Sequence, residues 1–463
     1  MKRLLSILLC LMLMATFVAC GNGGDANDAA ADAPAEATAD GEEAPDAPEV
    51  GDDEIITIRF ATSLYVEEPH QIVKDMLVER YQELNPHIRI VMEGAEFANF
   101  WDNVTVEILA GAEADILQLD IGRLAGYHAL REGGAFIPLD DKIAASGIDY
   151  YNLLVGQPEC VVDGVTIALS CYAWGTTGIF YNRAILEEAG IDPQAILTTD
   201  DFVEALRATT HGDMVGMGVV VGAHSFTLSE YNRFFARGVT GGFYFVEEDA
   251  PFTPENLNVN SRENVEMARW WQSLILDEQV LRPGPDKRDA RELFWNGLAA
   301  FNMDGPWFIG MTEARDPALM ENLGLIAHPQ ISFEGNLYLP RPTFSPYPHA
   351  ISTLSEHPEE AWAFLQWMAT EEAQAIIALS GMVPCNRDFA ESDAYREQFP
   401  LSAAFVDFLA SYGPLLRDPP IAEFLEIQQI GNDAAEAMFS DLGEDPQVAL
   451  DRARELMTEA LLR

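Results

Sequence analysis

The order of strand and helix signals between residues 55 and 120 is the feature that most restricts how this chain can fold. A β-rich run, IITIRFAT, precedes PHQIVKDMLVERYQEL, and NPHIRIVME then returns to a strand pattern. A second helix is predicted over residues 99–110, and ADILQLD follows as a short buried strand. This alternation predicts an α/β fold in which helices cover a parallel sheet. The apolar residues with helical spacing in the first helix are Ile72, Val73, Met76, Leu77 and Tyr81.

Sheets of this kind bind ligands beyond the carboxyl ends of their strands. The predicted ends here are residues 62–65, 93–97 and 119–120. Binding residues are therefore expected at these positions.

A second set of elements is predicted after residue 120. Asp163 and Gly164 have the composition of a two-residue hairpin turn. Asn182 is the expected N-cap of a helix over RAILEEAG, and Gly190, the last residue of that run, is its expected stop. Further elements are expected over residues 200–209 and 261–276, after Gly297, after Pro306, from Pro358 to Gly381, and over the amphipathic run PQVALDRARELMTEALL.

The N-terminus has the layout of a secretory leader. Lys2 and Arg3 precede LLSILLCLMLMATFVA, an apolar run that is short for a membrane span, and Cys20 follows. The residues FVAC resemble the lipobox of bacterial lipoproteins, in which cleavage leaves a cysteine that receives a lipid anchor, although Phe17 stands where leucine is usual. We expect a signal peptide over residues 1–19 and lipidation at Cys20. Ordinary cleavage of a free secreted protein is the alternative.

Residues 20–54 are predicted to form a disordered acidic tether. Residues 21–54 carry 12 acids and no base among many Ala, Gly and Pro, so burial cannot offset the entropy of ordering them. The chain has a formal net charge of −48, and residues 55–463 retain −38 when the +2 of the leader and the −12 of the tether are removed. Because phosphate binding needs a basic face, nucleic acid is not an expected partner.

No signal for cofactor or metal chemistry is found. The eight histidines are dispersed without the spacing of a helical zinc pair, and no nucleophile elbow or phosphate loop occurs. GMGVVVG has the wrong spacing for a dinucleotide loop and is interpreted as a strand. The three cysteines of the body, Cys160, Cys171 and Cys385, cannot all pair with one another, and Cys160 and Cys171 are interpreted as small buried hydrophobes. We therefore expect no cofactor, no metal and no enzymatic activity.

Four motifs, in order, carry a family resemblance. They are AGAEADILQLD, DGVTIALSCYAWGTTGIFYNRAILEEAGIDP with TTDDFVEALRAT close behind, FWNGLAAFNMDGPW, and AISTLSEHPEEAWAFLQWMATEEAQ. Together they resemble the extracellular solute-binding proteins of bacterial ABC importers, in particular the family whose best-known members bind sugars. The resemblance covers nearly all of residues 55–463. This stretch is also longer than a single hydrophobic core usually supports, so two domains are expected.

The resemblance implies a periplasmic-binding-protein-like type II fold. Two α/β lobes would be joined by crossing strands, with the solute held in the cleft between them. The crossings would fall near residues 170–174, 343–349 and 412–424. The stretch SCYAWG would then be a crossing whose first residues face the cleft. The expected lobes are residues 55–170 plus 349–412 for the first, and residues 174–343 plus 424–463 for the second.

A sugar site needs flat aromatic surfaces for C–H faces and carboxylates or amides for hydroxyl groups. Trp307 matches a tryptophan that stacks on sugar in well-studied family members, and a core position under a loop is the alternative. Trp174 is interpreted either as a cleft residue or as a core residue. Asp120 is either a ligand contact or a helix N-cap, and Tyr231 is either a ligand contact or a buried helix residue. The other candidates are Tyr65, Glu96, Phe97, Asp304 and Tyr347.

The expected function is capture of a sugar or oligosaccharide by a monomeric, lipid-anchored receptor on the extracytoplasmic face of the cell membrane. Lobe closure would deliver the solute to ABC transporter permease subunits. Other solutes, such as peptides, polyamines or a metal chelate, are one alternative. A secreted carbohydrate-active hydrolase is another, because 75 acids would allow a glycosidase carboxylate pair by chance. A surface adhesin that kept the fold is a third.

Overall fold

A computed structural model describes residues 55–95, 97–222, 226–246, 251–342, 344–413, 419, 421 and 423–463. The expected signal peptide, the lipidation site Cys20 and the acidic tether lie outside the described residues. Glu96 and most of the third expected crossing lie outside them as well.

The strands of the described residues are β1 (Ile56–Ala61), β2 (Ile88–Glu93), β3 (Ile116–Gln118), β4 (Val161–Val162), β5 (Val165–Thr166), β6 (Ala173–Gly175), β7 (Gly178–Asn182), β8 (Val215–Val220), β9 (Leu281–Gly284), β10 (Ala299–Asp304), β11 (Leu323–Ile326), β12 (Ile331–Phe333), β13 (Asn336–Tyr338), β14 (Ser345–Pro346), β15 (His349–Ile351) and β16 (Val383–Pro384).

The helices are α1 (Glu68–Leu84), α2 (Phe97–Ala110), α3 (Ile121–His128), α4 (Asp140–Ser146), α5 (Tyr150–Leu153), α6 (Arg183–Ala189), α7 (Thr199–Thr209), α8 (Phe226–Tyr231), α9 (Arg237–Thr240), α10 (Arg262–Leu276), α11 (Lys287–Trp295), α12 (Trp307–Arg315), α13 (Pro358–Met368), α14 (Glu371–Ala378), α15 (Arg387–Ala390), α16 (Asp393–Gln398), α17 (Pro400–Ser411), α18 (Phe424–Phe439) and α19 (Pro446–Leu461). A 3₁₀ turn covers Ser63–Val66, and a π-helical segment, Asn232–Ala236, separates α8 from α9.

The first sheet has the strand order β15-β3-β1-β2. β1 runs parallel to β2 and β3, whereas β15 is antiparallel to β3. Phe60 on one face lies in the same core cluster as Tyr81 of α1, and Leu117 on the other face clusters with Val104 of α2. The alternation of strands and helices predicted for residues 55–120 is confirmed.

The second sheet has the order β11-β7-β10-β8-β9, in which β7 is antiparallel to both of its neighbours. β8, β9 and β10 are parallel, so their carboxyl ends meet at one edge. A small antiparallel sheet, β14-β6-β16, joins the two systems, because β6 leads into β7 and β14 leads into β15. The result is two α/β sheet systems connected by paired crossing strands.

Local signals for turns and caps are confirmed. β4 and β5 form a hairpin in which Asp163 and Gly164 have φ of 50° and 81°. The Asn182 side chain accepts from the Ile185 N–H at 3.3 Å and caps α6. The single helix expected from Pro358 onward is instead two helices, α13 and α14, because the Thr370 side chain caps a new start.

The buried face of α1 differs from the simple apolar stripe. Ile72 is 53% exposed and Met76 is 38% exposed. The residues that α1 buries are His70, Val73, Lys74, Leu77 and Tyr81. Two polar residues therefore face the interior where the apolar pattern indicated isoleucine and methionine.

Cys160 and Cys171 are buried as interpreted from the sequence, and Cys385 is buried as well. Cys160, Cys171 and Cys385 are buried and unpaired. They fill core positions as small apolar side chains.

Gly310 lies where α12 closely approaches the turn at Ser380, and Gly126 of α3 is a helical glycine without such a contact. A Cβ on Gly310 would lie 2.3 Å from the Ser380 carbonyl oxygen, whereas a Cβ on Gly126 in α3 would have nothing within 4 Å. We expect Gly310→Ala to lower the free energy of unfolding by about 1–3 kcal/mol, because the backbone must shift. Gly126→Ala should raise it by up to about 1 kcal/mol, because alanine favours helix. Urea unfolding measures both, and equal stability of the two variants would contradict the close contact.

Candidate functional site

The carboxyl ends of β1 and β3 bring Thr62, Gln118 and Asp120 to one edge of the first sheet. Thr62 Oγ1 donates to Gln118 Oε1 at 3.0 Å, and both side chains are buried. Asp120 is half-buried, and its Oδ1 accepts from the Gly122 N–H at 3.0 Å as the N-cap of α3. The N-cap interpretation of Asp120 is thus observed. Its other carboxylate oxygen has no hydrogen-bond partner among the described residues, so a solute contact is compatible with the cap.

At the carboxyl end of β10, buried Asp304 forms an ion pair with Arg291 of α11. Arg291 Nε lies 2.8 Å from Asp304 Oδ2, and Nη2 lies 3.2 Å from Oδ1. The Gly305 N–H also donates to Oδ1 at 3.0 Å. Burial by itself would raise the pKa of Asp304, but the charges of Arg291 and Lys287 outweigh burial and hold this pKa below its ordinary value. Asp304 is therefore a carboxylate at neutral pH.

Asp304 also holds Trp307. The Trp307 Nε1–H donates to Asp304 Oδ1. With Arg291, Gly305 and Trp307 all donating to it, the carboxylate is occupied by protein groups. This placement gives Asp304 a role in fixing the indole and differs from the direct solute contact expected from the sequence.

The Trp307 indole lies against β6. A Cβ on Gly175 would be 2.7 Å from Trp307 Cζ3, and one on Gly305 would be 2.3 Å from Cη2. Neither glycine could carry a side chain without displacing the ring. Trp307 is half-buried and packs against a cluster that contains Leu64 and Tyr172. The ring thus contacts the first-sheet side of the molecule while part of it stays exposed.

Trp174 is 1% exposed within β6. Its ring centroid lies 5.6 Å from that of Phe344, and its strand neighbours are Pro346 and Val383. Its Nε1–H has no acceptor among the described residues. Trp174 therefore has the burial of a core residue, together with one unused hydrogen-bond donor.

Tyr231 lies in the core behind the second sheet. It is fully buried, and its OH donates to the Asn264 carbonyl at 3.0 Å. Its ring packs near Trp271 and Phe439, and burial raises its pKa. The structure gives Tyr231 the buried helix position that was the alternative to a ligand contact.

The remaining candidates are spread along the first-sheet edge. Tyr65 is half-buried, and its OH donates to Asp75 Oδ1 at 2.8 Å. Tyr347 is half-buried beside the cluster that contains Tyr172. Glu96 and the side chain of Phe97 lie outside the part of the chain that the structure describes.

Sequence reasoning missed Arg291. It follows Lys287 by four residues on α11, so the two cations share one face of the helix. Each meets a buried carboxylate, with Lys287 Nζ 2.7 Å from Glu230 Oε1 and Arg291 Nε 2.8 Å from Asp304 Oδ2. The sequence pattern that could have predicted these buried ion pairs is two cations on the helix face that also buries Ala290 and Phe294.

A family model described as "Bacterial extracellular solute-binding protein" matches residues 67–375, which is more than half of the chain. The chain belongs to this family. Over 275 residues the solute-binding protein is 27% identical to the lactose-binding protein of Rhizobium radiobacter, covering 54% of this chain and 60% of that protein. It is 23% identical over 307 residues to the maltotriose-binding protein of Pyrococcus abyssi, covering 65% of this chain and 61% of that protein. These matches span about three fifths of each relative.

A solved structure has the same fold. An ABC transporter solute-binding protein from Thermotoga lettingae TMO, bound with alpha-D-tagatose, aligns with a TM-score of 0.74 and 16% identity. The alignment covers 88% of this chain and all of that chain. The two-lobe, type II periplasmic-binding-protein-like fold expected from the sequence is confirmed.

Among the described residues, no group of three or more His, Cys, Asp or Glu side chains is arranged to hold a metal ion. Within the same ranges, no helix combines the length and the hydropathy needed to cross a membrane.

Arg291 belongs to a buried ion pair, and Arg207 belongs to an exposed ion pair that serves as its control. Both bind a carboxylate through two nitrogens, but the Arg291 side chain is 15% exposed and that of Arg207, paired with Glu278, is 53% exposed. We expect Arg291→Met to lower the free energy of unfolding at pH 7 by about 3–5 kcal/mol, because Asp304 loses its buried counter-charge. Arg207→Met should lower it by less than about 1 kcal/mol.

Urea unfolding of both variants at pH 7 checks this difference. Because the pKa of Asp304 is lowered, the contribution of its pair is present at neutral pH and is lost as the pH falls through that pKa. Similar losses in the two variants would contradict the structural role given to Arg291.

Proposed function

We propose that this solute-binding protein captures a sugar or an oligosaccharide for an ABC transporter. The observation that carries the proposal is the partly exposed Trp307 indole, fixed through Nε1 by the buried Asp304–Arg291 pair. A rigid aromatic face binds the C–H face of a sugar ring at low entropic cost. Lactose and maltotriose, the solutes named for two relatives, belong to this class.

The proposed lobes are residues 55–170 plus 349–412 and residues 174–343 plus 424–463. Trp307 would contact the solute from the second lobe, with Asp120, Tyr65 and Tyr347 on the first. Trp174 would offer its unused Nε1–H between them. Closure requires that a solute bind both lobes at once, which these positions on two sheet edges would allow.

The proposed activity is binding without chemistry or a cofactor, followed by transfer to permease subunits. A thermal-shift screen against lactose, maltotriose and other carbohydrates tests it, with peptides and polyamines as competing classes. A ligand at a hundred times its dissociation constant adds about 2.7 kcal/mol to stability. A shift with a carbohydrate that is recovered unchanged after incubation supports the proposal. A shift with peptides or polyamines alone, or hydrolysis of the sugar, overturns it.

Substitution of Trp307 separates stacking from core packing. Trp307→Ala should weaken binding of the best carbohydrate by about 1–3 kcal/mol, because a stacking surface is lost. Trp295 is the matched control, since it is also half-buried and its Nε1–H donates to Thr312 Oγ1 at 2.9 Å. Trp295→Ala should lower stability but leave affinity unchanged.

Calorimetric affinity and melting temperature are measured on both variants. A stability loss of about 3–5 kcal/mol with unchanged affinity in Trp307→Ala would identify a core indole and contradict stacking.

We further propose that Cys20 carries a lipid anchor that retains the protein on the extracytoplasmic face of the membrane. Cys20→Ala should leave a folded body that is lost from the membrane fraction, because an acidic protein has no attraction to an anionic bilayer. Fractionation with a high-salt wash tests this. A variant that stays in the washed membrane pellet would argue against lipidation.

A further inference from the structure

Lys74 is a buried cation with no carboxylate ion-pair partner among the described residues. It lies on α1 and is 1% exposed. Its Nζ donates to Gln118 Oε1 at 2.9 Å and lies 3.9 Å from the ring centre of Tyr172 and 4.8 Å from that of Phe60. One amide oxygen and two aromatic faces therefore replace the water around the ammonium.

The ammonium determines which way the Gln118 amide points. Gln118 Oε1 accepts from Lys74 Nζ and from Thr62 Oγ1. A charged lysine has only donors, so the amide oxygen must face it and the NH₂ group must take the other side. Gln118 Nε2 has no hydrogen-bond partner among the described residues. A free donor is thus held at the carboxyl end of β3, the edge where a solute is proposed to bind.

The same ammonium contacts the crossing. Tyr172, whose ring it faces, immediately precedes β6, and Gly175 of β6 lies under the Trp307 indole. The Tyr172 carbonyl accepts from Gln374 Nε2 at 3.2 Å. Lys74 therefore links the end of β3 to the residue that leads into the crossing.

Lys74 also changes charge near neutral pH. Burial lowers its pKa to about 7. Burial, aided by the charge of Lys74, lowers the pKa of His70 to about 3 and that of His349 well below its ordinary value, so both imidazoles are neutral. The other titratable groups around it are Cys171 and Tyr172, whose pKa values burial raises, and Glu67, whose Oε2 lies 4.0 Å from His70 Nε2.

We propose that Lys74 is a positioning residue for solute binding, whose ammonium holds the Gln118 amide with its NH₂ group available to the solute. A neutral amine accepts as well as donates, so loss of the charge releases this orientation and weakens binding. The inference rests on the proposed function, and it adds a dependence of that site on protonation.

The first test needs no solute. Lys2 lies in the expected leader, so Lys74, Lys142 and Lys287 are the lysines of the body, and each gives one signal in a ¹³Cε-lysine NMR titration. Lys74→Met identifies the Lys74 signal, which should titrate near pH 7. Gln118→Glu should move that titration upward by placing a carboxylate beside Nζ. A Lys74 signal that titrates near pH 10.4, as an unperturbed lysine does, would overturn the proposal.

The second test is calorimetry with lactose and maltotriose between pH 6 and pH 9. Wild-type affinity should fall about tenfold across this range, the effect of one misplaced hydrogen-bond donor, and Lys74→Met should be about tenfold weaker at pH 6 and independent of pH. Lys142→Met, which removes a lysine paired with Glu359, should match the wild type. If Lys74→Met does not fold, the role of Lys74 is tested by the pH dependence of wild-type affinity and by the Lys74 titration in Gln118→Glu.

The outcomes separate the two proposals. Sugar binding that is equally strong and equally pH-dependent in Lys74→Met overturns the role of Lys74 alone. If neither these sugars nor any carbohydrate of the panel binds the wild type, the proposed function fails, and the role of Lys74 in solute binding falls with it.

Discussion

The pairing of β6 with β14 and β16 is the interaction on which the rest of the site depends. β6 is the middle strand of the sheet that joins the two α/β systems, so its backbone is held on both sides. Gly175 leaves the space in which the Trp307 indole lies, while Tyr172, just before the strand, contacts Lys74. Trp307 and Tyr172 thus both lie beside this one short strand.

The two sheet systems treat buried charge in different ways. Behind the second sheet, each buried cation of α11 meets a carboxylate, Lys287 with Glu230 and Arg291 with Asp304. Behind the first sheet, Lys74 has an amide oxygen and aromatic rings instead. A paired carboxylate with a lowered pKa keeps its charge throughout the neutral range, whereas an ammonium held by neutral groups lies close to its titration point. The carboxylate that holds Trp307 therefore keeps its charge, whereas the ammonium that holds the Gln118 amide changes its charge near neutral pH.

The features that could be predicted from the sequence are those that depend on residues close together along the chain. The hairpin at Asp163 and Gly164 and the N-cap at Asn182 depend on local backbone preferences, and both are present. The strand and helix order of residues 55–120 was also predictable, because periodicity records which face is covered.

The rest depended on residues distant in sequence. Lys74 is buried because Gln118 and Tyr172 supply its contacts from 44 and 98 positions away, and no pattern within α1 shows that. Tyr231 and Trp174 were open between core and cleft for the same reason, since their surroundings come from other elements. Asp304 was recognised, but its partner Arg291 was not, so its task of holding Trp307 was missed.

The three buried thiols would make unfolding of this solute-binding protein hard to reverse wherever its surroundings are oxidising. Burial raises the pKa values of Cys160, Cys171 and Cys385, so the thiolate that attacks disulfides is scarce while the core is closed. Once the core opens in an oxidising compartment, an intramolecular disulfide leaves one thiol free to join a second molecule. In such surroundings the lifetime of the protein would depend on how often the core opens, so core packing would also protect the thiols against oxidation.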